Sequence, residues 1–84
     1  MIRKECFAPA DAWLVPTPDE ISELINMIGP DLTGGKLAKL VGLGKGGGRT
    51  VRRWIGGDAD IPYAVWCLMA YEAGLGKIWA DFSG

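Results

Sequence analysis

The sequence predicts an all-α fold, a compact bundle of four or five helices. Three observations lead there. Ile21, Leu24, Ile25 and Ile28 recur at i, i+3, i+4 and i+7, which is one face of an amphipathic helix. Nowhere does the chain show the strict apolar/polar alternation of a half-buried strand. Glycine and proline fall where helices should start or stop: Pro18, Gly29-Pro30, Gly42, Gly56-Gly57, Pro62 and Gly74. With 84 residues there is room for one domain and a modest core, so self-association is an expected source of further burial.

Residues 1–16 form a mixed apolar arm without helical period. Arg3 and Lys4 precede it, but Pro9 and Asp11 interrupt the apolar run a secretion signal needs, so a cytoplasmic chain is expected. The longest wholly uncharged apolar run, Ala64 to Tyr71, is far too short to span a bilayer. Cys6 and Cys67 stand alone and there is no histidine, so no metal site, cofactor or catalytic triad is expected. Both cysteines suit free thiols in a reducing compartment.

Residues 17–75 form the helical core. Thr17 can cap a first helix, Pro18 suits its first turn and Glu20 completes a capping box, giving a helix over 17–28 that Gly29-Pro30 ends. A last core helix runs over 62–73, with Gly74 as its left-handed terminator. Tyr63 through Tyr71 make it apolar around its whole circumference, with Glu72 its only charge. Such a helix is either central to the bundle or also faces a second subunit. The tail, 76–84, carries Ile78, Trp79 and Phe82 with a period that fits either a strand or a helical turn. Cys6-Phe7 and Trp13-Leu14-Val15 are its expected apolar partners.

Between these helices lies the stretch Thr33 to Ile55. It holds six of the nine basic residues (Lys36, Lys39, Lys45, Arg49, Arg52, Arg53) and no carboxylate. Its formal charge is +6, against −7 for the rest of a chain that sums to −1. A local field of this kind steers a polyanion whatever the net charge. Leu37, Leu40 and Val41 give the stretch one apolar helical face, with Lys36 and Lys39 on the other side, Thr33 as N-cap and Gly42 ending the helix. A second helix fits about Gly48 to Ile55. With Val51 at zero on its wheel, Trp54 and Ile55 fall within roughly 60° of it, at about 100° per residue. Arg49 and Arg53 lie nearly opposite, and Arg52 and Thr50 take the two flanks. No carboxylate stands at i±3 or i±4 to pair with these arginines. Two short helices, a glycine turn and arginines on the second helix make the sequence image of a helix-turn-helix.

The run KLAKLVGL…RTVRRWIGG…IP resembles the Cro/C1-type, lambda-repressor-like DNA-binding domains, most of all the small repressors of plasmids and phages. Ala38, Gly42, Val51 and Arg52-Arg53-Trp54 fill that family's usual places, and the likeness covers about Asp19 to Gly74. One departure is a turn about three residues longer than usual, rich in glycine from Gly44 to Gly48, where at least one positive φ is expected. The residues and the resemblance together imply a transcriptional repressor that binds double-stranded DNA and so occludes a promoter, and the apolar helix 62–73 adds the expectation of a homodimer on an inverted repeat. Candidate base-edge residues are Arg49, Thr50, Arg52 and Arg53. Candidate phosphate contacts are Thr33, Lys36, Lys39, Lys45, Gly47 and Gly48.

Other readings weigh less. Gly42, Gly44 and Gly47 match a dinucleotide fingerprint in spacing, but no strand precedes them, and no Gly-Lys-Ser/Thr follows to make a P-loop. No aromatic is interleaved among the basic residues for stacking single-stranded bases. An enzyme is not expected. The alternative of another class is a protein-interaction module, antitoxin-like or an inhibitor subunit, whose basic face meets an acidic partner.

Overall fold

A computed structural model describes residues 1–81. A 3-10 turn (Lys4–Phe7) precedes five α-helices: α1 (Pro18–Ile28), α2 (Gly34–Leu40), α3 (Gly47–Gly56), α4 (Tyr63–Glu72) and α5 (Ile78–Asp81). The described residues contain no strand, and the chain is a small helical bundle. α3 packs against both α1 and α2, α4 lies on α1, and α5 lies on α4. Phe82 falls outside the described residues.

The start of α1 is the expected capping box. Glu20 N–H donates to Thr17 Oγ1 at 3.2 Å, and Thr17 N–H donates to Glu20 Oε1 at 2.8 Å. Glu20 also does something the sequence did not reveal. Arg3, seventeen residues upstream, donates to both its oxygens, from Nη2 at 2.8 Å and Nε at 3.0 Å, and adds its backbone N–H at 2.8 Å. The Arg3 side-chain bonds, with the Arg3 and Thr17 amides, hold the Glu20 carboxyl well below the usual carboxylate range, although burial opposes them. A depressed folded-state pKa stabilises the fold above the unfolded value of about 4.3 and loses that contribution as pH falls toward the folded one. Glu20→Gln should therefore cost about 1 kcal/mol at neutral pH. In urea melts the gap to the wild type should shrink progressively below about pH 4. A gap unchanged at pH 3 would contradict the Arg3–Glu20 account.

The arm is therefore structured, contrary to the absence of helical period in residues 1–16. Its order comes from long-range bonds: Trp66 Nε1 donates to Cys6 O at 2.7 Å and Tyr63 Oη to Ala8 O at 2.8 Å. Phe7 stacks on Trp66 with centroids 5.8 Å apart, and Trp13 meets Tyr63 edge-on at 5.0 Å. The arm's aromatics thus pair with α4, while Leu14 and Val15 are exposed. Cys6 and Cys67 are buried free thiols. Burial, and then the Glu20 charge, pushes the Cys6 thiol up to about 11.

The bundle's core joins Ile21, Leu24, Leu37, Val51, Trp54, Ile61, Trp66, Met69 and Ile78. On α4, Trp66, Cys67, Met69 and Ala70 face inward, while Leu68 is 48% and Tyr71 53% exposed, so within one chain the helix is not buried on every side. One sequence expectation needs correction. In α2 the packed residues are Leu37 and Ala38, with Val41 partly buried, whereas Leu40 is turned outward. The tail takes its helical alternative, as the single turn α5.

Candidate nucleic-acid interface

The basic stretch folds into α2, a six-residue turn (41–46) and α3. Thr33 caps α2, its Oγ1 accepting from Lys36 N–H at 3.2 Å. α2 ends in a Schellman pattern around Gly42 at φ +79°, with Leu43 N–H donating to Ala38 O at 2.8 Å and Gly42 N–H to Lys39 O at 3.2 Å. Gly46, the N-cap of α3, sits at φ +83°, so the glycine-rich turn does contain the positive φ expected of it.

Glycine also sets how closely the two helices approach. A Cβ at Gly34 would lie 3.4 Å from the Gly48 carbonyl oxygen, and one at Gly48 would lie 3.6 Å from Gly35 N. At Gly47 the approach is tighter still: a Cβ would stand 2.7 Å from Leu43 Cβ and 2.8 Å from Ala38 Cβ. The first turn of α3 is therefore laid backbone-close against α2, with Val51 and Trp54 carrying the contact on into the core.

With that side of α3 fixed, its remaining residues have one place to go. Arg49, Thr50, Arg52 and Arg53 are all exposed, as are Lys36 and Lys39 on α2 and Lys45 in the turn. The Arg3–Glu20 ion pair and that of the N-terminal amine with Glu23 lie elsewhere. No carboxylate of α1, α4 or the loops has come round to neutralise the six cations. The helical wheel drawn from the sequence thus matches α3: Val51 and Trp54 are buried, Ile55 is partly buried, and the arginines are outside.

Two of the candidate contacts have different standing. Gly47, expected to offer its amide to a phosphate, is buried, and its N–H already donates to Gly44 O at 3.0 Å. Its role here is packing, and the small Ala38 opposite was the available signal. Thr33 is exposed with its hydroxyl oxygen engaged in the cap. Among the described residues no group of histidine, cysteine or carboxylate side chains could hold a metal ion. No helix there is long and apolar enough to cross a membrane.

Comparison with known proteins supplies the class. No family model and no solved structure matches the chain. Two Escherichia coli proteins, each named transcriptional repressor protein KorC, are 51% identical to it. One aligns over 80 residues, 95% of this chain and 92% of that protein; the other over 78 residues, 93% and 89%. An all-helical chain with this cationic helix face and these relatives is a regulatory protein of the transcriptional-repressor class. It belongs to the KorC family.

Proposed function

We propose that this chain represses transcription by binding duplex DNA in a sequence-specific way and occluding a promoter. The observation that carries this reading is the outer face of α3, where exposed arginines have no carboxylate partner among the described residues. In the proposal α2 and α3 act as a helix-turn-helix. Arg49, Arg53 and Thr50 reach base edges in the major groove, while Lys36, Lys39 and Lys45 hold phosphates. Gly48, in the first turn of α3, is the remaining glycine assigned to the phosphate backbone.

The test is fluorescence anisotropy on a duplex obtained by selection from random sequences, with a scrambled duplex alongside. Tight binding to the selected duplex, weaker binding to the scrambled one and a steep loss with added salt are expected. If the basic face serves an acidic protein partner instead, no selected duplex will be preferred.

We further propose a symmetric homodimer bound to an inverted repeat. The exposed apolar residues of α4, Leu68 and Tyr71, are one helical turn apart, and exposed Leu75 and Trp79 follow beyond the helix end. An apolar row of this kind suits a self-complementary contact. Tyr71→Glu should shift the chain to monomer in sedimentation and abolish preference for the two-half-site duplex. A wild-type monomer at micromolar concentration, both free and on DNA, would contradict the dimer.

A further inference from the structure

The four polar residues of α3 do not occupy equivalent positions. Arg49 lies opposite the buried Val51–Trp54 side, and Arg52 and Arg53 stand about 50° to either side of that outward direction, Arg52 on the flank it shares with Gly48 one turn earlier. Its guanidinium leans back along the helix, so that a Cβ on Gly48 would be 3.6 Å from Arg52 Nη1. The same Gly48 position lies 3.6 Å from Gly35 N and 3.7 Å from Gly35 Cα. Arg52 and the start of α2 thus both border the Gly48 position, at the edge of α3 nearest Gly35. Thr50 is on the flank opposite Arg52.

From this geometry we infer that Arg52 is a positioning residue that holds a phosphate at the α2–α3 seam and reads no base. The inference rests on the DNA-binding reading above and corrects the equal treatment of Arg52 with Arg49 and Arg53. A guanidinium laid back toward the supporting helix sits beside the groove wall when the outward face of α3 enters the groove. The chemistry there is charge on a phosphate oxygen, which carries no sequence information. Lysine can supply that charge as a point cation, whereas it cannot reproduce a bidentate guanidinium fork on a base edge.

The experiment compares wild type, Arg52→Ala and Arg52→Lys on the selected duplex and on its scramble, across a salt series, and repeats binding-site selection with each. Arg52→Ala should weaken both duplexes by the same factor, roughly five- to tenfold at about 0.1 M salt. It should reduce the slope of log affinity against log salt by about one and leave the selected consensus unchanged. Arg52→Lys should restore affinity to within about twofold on both duplexes. A changed consensus, a loss confined to the selected duplex, or failure of lysine to rescue would overturn the assignment while leaving DNA binding intact. Wild-type protein that prefers no duplex would overturn both readings.

Discussion

Gly47→Ala melts well below the wild type. The new Cβ would stand 2.7 Å from Leu43 Cβ and 2.8 Å from Ala38 Cβ, both first atoms of their side chains, which no rotamer change can move away. Relief requires α3 to back off from α2, an overpacking cost of about 3 kcal/mol. Alanine's better helix propensity returns about 1 kcal/mol, so the net loss is about 2 kcal/mol. For a domain of this size that lowers the melting temperature by roughly 10 °C. The neighbouring Gly48→Ala is the control. It too is helical, but its nearest contacts are ordinary ones at 3.6 Å, so it should be neutral or stabilise by about 0.5–1 kcal/mol. Thermal unfolding by circular dichroism separates the two. A Gly47→Ala variant that melts at or above the wild type would mean that α2 and α3 are not packed this closely.

The largest effect on binding is expected at Arg49 and Arg53. Each is exposed, in no ion pair among the described residues and opposite the buried side of its helix, so each projects away from the bundle. Arg49→Ala or Arg53→Ala should cost about 1–3 kcal/mol on the selected duplex, with a smaller loss on random DNA. The double variant should lose about 2–6 kcal/mol there if the two contacts are independent. Lys39→Ala should behave differently. Its side chain belongs to the supporting helix, so it should weaken both duplexes by similar factors and lower the salt slope by about one. Equal losses on both duplexes for the arginine variants, with altered preference for the lysine variant, would exchange the roles of the two helices.

The helices themselves were legible because their signals are local. The capping box at Thr17, the i, i+3, i+4 spacing after Pro18 and the terminating glycines Gly42 and Gly74 each depend on residues within a turn or two. The wheel of α3 was legible for the same reason, since Val51 and Trp54 could have no other side to bury. Where the sequence was misread, tertiary contact decided. Nothing near Arg3 announces Glu20, and nothing in the arm's period shows that Trp66 and Tyr63 will hydrogen-bond its carbonyls. Leu40 and Ala38 exchanged places because α2 turns its small residue toward Gly47, where only a small one fits. For α4, composition alone could not show which of its apolar residues find neighbours within the chain. The candidate site divides in the same way. Exposure of its cations followed from spacing, whereas the packing role of Gly47 and the lean of Arg52 appear only when α2 and α3 are placed side by side.

The central claim is that the outer face of α3 determines which DNA sequence is bound. Binding-site selection on random duplexes, run in parallel with wild type, Arg53→Ala and Lys39→Ala, tests it most directly. The account predicts that Arg53→Ala yields a consensus relaxed at one or two base pairs of each half-site, while Lys39→Ala yields the wild-type consensus at lower affinity. An unchanged consensus from Arg53→Ala together with a relaxed one from Lys39→Ala would contradict it.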